Sequence, residues 1–226
     1  MNQDPETSNR AGREPISELT TARLSVYLRC LAELESEGIA TVSSQDLAAR
    51  IHVNSAQIRK DLACFGEFGI RGVGYSVIDL RARLRDTLGL TTTHAMVIAG
   101  AGNLGMALVN ARGFNSDGFK VVAMVDIDPA KTGIRSRNGV EVYPLSSLHS
   151  IVKRETVEIG VIAIPGDSAQ QVCDFMIEVG ILAILNFAPV QIKPRAGVRI
   201  QEVDLRVNLE TLSFHLKLAE DGKLVL

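Results

Sequence analysis

From His94 onward the chain repeats one pattern: a nearly continuous apolar run, then a segment with helical periodicity. The runs are AMVIAGAG, KVVAMVDID, VEIGVIAIP and GILAILNFAP, and the segments between them include LGMALVNA, SSLHSIVKR and SAQQVCDFMIEVG. Strands apolar along their whole length, rather than at alternate positions, are strands covered on both faces. Their alternation with helices implies a parallel sheet with helices on either side. GVRIQEVDL is expected to add a last strand.

The first of these strands ends in glycines. Gly100, Gly102 and Gly105 form GxGxxG, with Ala101, Asn103 and Leu104 between them, where a strand gives way to a helix. In that setting the spacing has a mechanism. Gly100 permits the tight turn, Gly102 lets backbone approach a pyrophosphate, and Gly105 lets the helix pack close to the strand. The helix start offers free amides and partial positive charge to phosphate. Asp126 ends the second strand, 26 residues after Gly100. A carboxylate there accepts hydrogen bonds from an adenosine ribose and repels an added phosphate, which favours NAD(H) over NADP(H). Asp128 is the alternative acid. Two further strand ends are expected to line the same site, at Pro165 in IAIPGDS and at Asn186 and Phe187 in LNFAP.

The part before His94 reads differently. Residues from about 18 to 90 have helical periodicity and no long strand. LTTARLSVYLRCLAELESEG places Leu19, Leu24, Leu28, Leu31 and Leu34 near one face and stops at Gly38. A second helix, SSQDLAARI, is capped by Ser43 or Ser44, and Ser43 with Asp46 has capping-box spacing. Asn54 caps the third helix, with Gln57 placed to reach back, and Ile58, Leu62 and Phe65 face inward. The tight turn at His52-Val53-Asn54 makes the second and third helices a helix-turn-helix. GEFGIRGVGYSV then reads as a hairpin or wing, and VIDLRARLRDTLGL as a connecting helix. If the third helix enters a major groove, Ser55, Ala56, Arg59 and Lys60 are its groove-facing candidates, and Arg71 at the wing tip suits a narrow, negative groove. A helical protein-docking module is the other reading of the same spacing.

Charge and cysteines bound the remaining choices. A net charge of −2 does not advertise nucleic-acid binding, but residues 55 to 85 hold six basic and three acidic side chains. Cys30, Cys64 and Cys173 lie far apart with no CxxC pair, and the four histidines do not cluster with them, so no metal site is expected. No apolar stretch reaches membrane-spanning length, and the polar start MNQDPETSNRAGREP has no apolar core, which points to a cytoplasmic protein with a disordered tail over 1–17. In the last helix Leu205, Leu209, Leu212 and Leu216 repeat at 4-3-4 while Phe214 and Leu218 sit off that stripe. Such a helix is either sandwiched in its own domain or buried against a second chain.

Taken together, QIRKDLACFGEFGIRGVGYSV, VIAGAGNLG, VDIDPAKTG, ILNFAP and the terminal VDL…LSF resemble the Rex family of redox-sensing transcriptional repressors, from about residue 16 to the end. The resemblance implies an α/β protein with an N-terminal winged helix over 18–90. A Rossmann-like, doubly wound NAD(H)-binding sheet follows over 91–206, then a dimer-exchanged helix over 207–226. It implies a homodimer on double-stranded, inverted-repeat operator DNA, released by NADH, with NAD+ competing or favouring the DNA-bound form. The family's DNA contacts carry over to Arg59, Lys60 and Arg71, and its cofactor contacts to the three loop glycines and Asp126. Arg29 in YLRCL and Asp204 in VDL match a charged pair that switches partners between states. The chain departs from the resemblance at Leu205, where an aromatic contacting the partner's nicotinamide site is expected. No catalytic motif stands beside the glycine loop, so the expectation is a protein that is not an enzyme. The alternatives are an NAD-dependent oxidoreductase and a CoA- or nucleotide-binding regulatory subunit.

Overall fold

Ser17 opens the first helix of the computed structural model, which describes residues 17–66, 68–70 and 72–221. The rest of the tail expected over 1–17, and Arg71 in the wing, lie outside these residues. The chain divides between Thr91 and Thr92 into two compact units.

In the first unit, the Oγ of Ser17 accepts the amide of Thr20 at 3.1 Å and starts α1, Glu18–Ser36. Leu24, Tyr27, Cys30, Leu31 and Leu34 of α1 are buried. Leu19, expected on the same stripe, is 72% exposed. It precedes Leu24 by five residues, which turns it about 140° from that stripe on a helix of 3.6 residues per turn. After α1, Gly38 takes the left-handed conformation, and β1, Thr41–Val42, follows. Ser43 rather than Ser44 caps α2, Ser44–Ile51. Its Oγ accepts the Asp46 amide and donates to the Asp46 carboxylate. His52, also left-handed, ends α2 and makes the tight turn. Asn54 then caps α3, Ser55–Ala63, through the Ala56 amide at 2.8 Å.

The inward face of α3 holds Ile58 and Leu62, both buried, with Phe65 packed beside them. It also holds a charge. Asp61 is 2% exposed. Arg23 of α1 donates to both its oxygens, from Nε at 2.6 Å and Nη2 at 2.7 Å. The hydroxyl of Tyr27 and the Nε2 of Gln57 each donate to it at 2.7 Å. Gln57 therefore does not reach back to the cap. A buried carboxylate one turn along needs donors, and it claims the amide. Burial raises the pKa of Asp61, but the hydrogen bonds from Arg23, Tyr27 and Gln57 outweigh it and hold the group below its ordinary value. These bonds tie α3 to α1.

β2, Tyr75–Ser76, pairs antiparallel with β1, and the Ile70–Gly74 bridge closes the hairpin that precedes it. Ser76 caps α4, Val77–Thr87, whose Val77, Leu80 and Leu84 share one core with α1. The helix read as a connector is thus a wall of the first unit. Three helices, a short sheet, a wing and α4 make a winged helix.

The second unit contains β3 His94–Ala99, α5 Asn103–Asn110, β4 Phe119–Asp126, β5 Val142–Pro144, α6 Leu148–Glu155, β6 Val157–Ile162, α7 Gly166–Glu178, β7 Ala183–Asn186, β8 Arg199–Glu202 and α8 Leu205–Glu220. All six strands are parallel, in the order β5-β4-β3-β6-β7-β8. Counted from β3, that is the 3-2-1-4-5-6 order of the doubly wound nucleotide-binding fold. Alternate residues of β3 serve opposite faces: Val97 and Ala99 pack with α6 and α7, Met96 and Ile98 with the α5 side. β5 escapes sequence reading because it is only three residues long and ends in proline, as an edge strand tolerates. No residue of α8 is buried. Leu205, Val207, Leu209, Leu212, Phe214 and Leu216 are each more than half exposed.

The Asp61 network yields a stability prediction. Asp61→Asn keeps the shape but leaves Arg23 and Tyr27 facing a weaker acceptor, at an expected cost of about 2 kcal/mol. Because the folded pKa is depressed, the carboxylate stabilises the fold above its unfolded value of about 3.9 and loses that effect as pH falls through the folded pKa. Urea unfolding of both proteins from neutral to acid pH should show curves that converge at low pH. Equal stabilities at neutral pH would mean the network contributes nothing.

Candidate functional site

The crevice of the second unit opens where β3 and β6 lie side by side and the chain leaves them in opposite directions, the position at which doubly wound sheets bind ligands. Gly100 leaves β3 with a φ of +104° and donates its amide to the Val125 carbonyl. A Cβ on Gly100 would lie 2.3 Å from the carbonyl oxygen of Ala163, and one on Gly105 would lie 1.8 Å from that of Gly100. The protein's own backbone demands those two glycines. Gly102 differs: a Cβ there would meet nothing within 4 Å. It stands at the N-cap of α5 beside open space, and Asn103 and Leu104 are exposed in the first turn. The first amides of α5 have no acceptor within the helix and present partial positive charge.

Asp126 reaches across from the end of β4 to this loop. Its Oδ2 accepts the Ala101 amide at 2.7 Å and the Nζ of Lys131 at 3.0 Å, and its Oδ1 accepts the Asp128 amide at 2.9 Å. Burial raises its pKa, but the two amides and Lys131 overcome this and hold it below the ordinary range. The side chain of Asp128, the alternative acid, caps the short turn Pro129–Lys131 through the Ala130 amide. Gly100, Gly102, Asp126, Asp128, Lys131 and Pro165 line one cavity of about 450 Å3 with Ile127, Ala163 and Ile164.

Asn186 and Phe187 are not among its lining residues. Asn186 is fully buried, and its amide is committed to folding. It accepts from the Ala188 amide and donates to the Val190 carbonyl and the Glu202 carboxylate. Phe187 packs on the α5 side of the sheet. Sequence reasoning gave Lys131 no role, although it stands in the VDIDPAKTG stretch, five residues beyond Asp126.

In the first unit, Arg59 and Lys60 are exposed on the face of α3 opposite Ile58 and Leu62. Ala56 is exposed and Ser55 half-buried on its first turn. Arg59 donates through Nη1 to the Oγ of Ser44 at 2.8 Å. These two residues share a cavity of about 430 Å3 with Gly72, Val73 and Gly74 of the wing. Ile70 and Val73 are exposed beside the wing tip. The basic surplus of this region divides. Arg81 pairs with Glu35, and Arg85 donates to the Leu90 carbonyl at 2.7 Å. Arg83 stacks over the Phe68 ring, 5.7 Å from its centroid. Arg59, Lys60 and Arg83 stay exposed. Cys64 is exposed at the end of α3.

Arg29 is exposed on α1, and Asp204 caps α8 by accepting the Arg206 amide at 2.8 Å. Among the described residues no three His, Cys, Asp or Glu side chains group as metal ligands, and no helix is long and apolar enough to cross a membrane.

Residues 15–63 match the family model described as "Putative DNA-binding protein N-terminus", and residues 91–190 that of a CoA binding domain. The redox-sensing transcriptional repressor Rex of Desulforamulus reducens is 48% identical over 205 residues, which cover 91% of this chain and 97% of that protein. The chain belongs to the Rex family of redox-sensing transcriptional repressors. The Rex of Streptomyces coelicolor is 46% identical over 88% of this chain and 77% of its own length. Among solved structures, the chain is similar to RSP in complex with β-NAD+ and operator DNA, with a TM-score of 0.86, 36% identity and coverage of 93% and 97% of the two chains. It is also similar to RSP in complex with β-NADH, with a TM-score of 0.83, 35% identity and coverage of 93% and 99%.

The loop geometry separates two kinds of glycine in this Rex-family chain. Gly105→Ala forces α5 away from β3 and should cost about 1–3 kcal/mol, as overpacking does. Gly102→Ala meets no neighbour and should leave thermal stability within about 1 kcal/mol of the parent. Thermal unfolding of the two variants checks this, and equal losses would contradict it.

Proposed function

We propose that this chain is a homodimeric repressor whose winged helices hold an inverted-repeat operator until NADH, bound in the crevice of the sheet, releases them. The observation that carries this reading is the pairing, in one Rex-family chain, of a glycine cradle open at Gly102 with a helix whose Arg59 and Lys60 face solvent. The operator DNA, β-NAD+ and β-NADH of the RSP complexes support it.

The crevice suits a dinucleotide. A Cβ at Gly102 would fill the space left for a pyrophosphate, which the first turn of α5 (Asn103, Leu104, Gly105) would hold by backbone amides. Gly100 and Ala101 shape that loop, Asp126 would hold the adenosine ribose, and Pro165 would wall the cavity. Asn186 and Phe187 serve the site from behind, by fixing the loop that follows β7. NAD+ carries a positive nicotinamide ring and NADH a neutral one, and no bond of either needs to change. An apolar site closed between subunits prefers the neutral ring, because burying an unpaired charge is costly. The ligand shifts the dimer only by its differential affinity for the two states. Arg29 and Asp204 are the charged pair assigned to that switch, and Leu205 follows Asp204 where an aromatic was expected. The exposed apolar sides of α8 support exchange of this helix with a second copy.

On DNA, Ser55, Ala56, Arg59 and Lys60 would read the major groove, with Arg59 leaving Ser44 to do so, and Arg71 would enter the minor groove from the wing. We assign the protein no catalytic turnover and place it in the cytoplasm with the DNA it binds. The family description of residues 91–190 favours one second reading, a CoA sensor. Displacement of NADH by CoA at comparable concentration would support that reading.

Fluorescence anisotropy of a labelled inverted-repeat duplex tests the main proposal. Binding should be lost on adding NADH and largely kept with NAD+; operator affinity indifferent to NADH overturns it. Lys60→Ala should weaken operator binding about 10- to 100-fold, the range of one good base contact, while leaving NADH titration unchanged. Leu209→Asp with Leu212→Asp should convert the dimer to a monomer in sedimentation velocity. A dimer that survives both changes removes α8 from the interface.

A further inference from the structure

The carboxylate assigned to the ribose is already heavily engaged. A carboxylate offers about four acceptor positions. Three of those on Asp126 are taken: Oδ1 by the Asp128 amide, Oδ2 by the Ala101 amide and by the Lys131 ammonium. Asp126 is the sheltered member of the ion pair, with its side chain 8% exposed against 34% for Lys131. The lysine does not sit there by chance of a long side chain on an open surface. The turn Pro129–Lys131 that carries it is capped by Asp128 and pinned by the Lys131 amide on the Asp128 carbonyl at 3.1 Å. Both side chains line the same cavity.

This arrangement has two consequences for a dinucleotide. A ribose diol that donates to both carboxylate oxygens must compete with Lys131 for Oδ2. A ribose bearing a 2′-phosphate meets not an acid alone but an acid with an accessible ammonium 3.0 Å away. We infer that Lys131 is the specificity-determining residue of the crevice, tempering the exclusion by Asp126 so that the site retains a latent capacity for NADPH. The inference rests on the NADH-binding reading above. It predicts a dependence that an acid acting alone does not have. Without Lys131 the crevice rejects the 2′-phosphate more strongly. Without the charge of Asp126 the crevice accepts it, but only while Lys131 is present to pair with it.

The experiment is a double-mutant cycle on the full chain: the parent, Lys131→Met, Asp126→Asn and the two together, each titrated with NADH and NADPH by nicotinamide fluorescence. Lys131→Met should raise the preference for NADH over NADPH about fivefold, through weaker NADPH binding, and Lys131→Arg should restore the parent value. Asp126→Asn should lower the preference about tenfold in the parent background and less than about threefold when Lys131 is Met. An equal fall in both backgrounds, or a preference indifferent to Lys131→Met, overturns the inference. If Asp126→Asn disturbs the Ala101 loop and does not fold, the Lys131→Met and Lys131→Arg pair decides alone, since neither touches a backbone bond. A parent protein that binds no NADH at all overturns the reading beneath this one, and with it this one. A parent that binds NADH with a preference blind to Lys131 overturns only the role of Lys131.

Discussion

The second unit depends on how closely α5 can approach the end of β3. The carbonyl of Gly100 lies where a side chain on Gly105 would begin, and the carbonyl of Ala163 on the neighbouring strand lies where one on Gly100 would begin. Two backbones and a helix start meet in a space that admits no Cβ. That contact sets the direction of α5, aims its free amides over the sheet and leaves Gly102 as the one loop glycine with room above it. The carboxylate of Asp126 then ties the loop to β4 through the Ala101 amide. The shape of the crevice follows from packing within the protein itself.

The first unit solves a different problem. A helix that shows its basic side to solvent has only one face left to hold it. Ile58 and Leu62 supply apolar burial, but apolar contacts alone allow a helix to roll. The fork of Arg23 on Asp61, with Tyr27 and Gln57 beside it, is directional and fixes the rotation of α3 about its own axis. Lys60 is the next residue along the helix, so the direction in which it faces solvent is set one residue away, on the buried side.

Much of this was legible from residue order. Apolar strands of full length announced a parallel sheet, the glycine spacing announced the crevice, and Ser43 and Asn54 announced two helix starts. Patterns of this kind are local, and local chemistry is what a sequence displays. What stayed hidden was non-local. Asp61 follows two basic residues and reads as part of a wet, charged face; only the fold brings Arg23 and Tyr27, 38 and 34 residues away, onto it. Gln57 has capping spacing, but a stronger acceptor one turn along redirects it. Asn186 stands at a strand end, where polar residues often meet ligands. It turns instead to the loop after β7, which has buried polar groups of its own to satisfy. Lys131 stands in the VDIDPAKTG stretch, but nothing in residue order shows the 3.0 Å contact it makes with Asp126.

The bare apolar flanks of α8 have a consequence for the lifetime of the protein as well as its assembly. A helix with no buried residue inside its own chain gains little from the fold it is attached to. Without the second copy proposed to cover it, such a helix would be easily opened, cleaved or drawn into the wrong association. Newly made chains at low abundance would then be short-lived, and chains above the pairing threshold durable. A cell would hold either very little of such a protein or a stable stock of dimers. Its supply would respond to synthesis rate more steeply than in simple proportion.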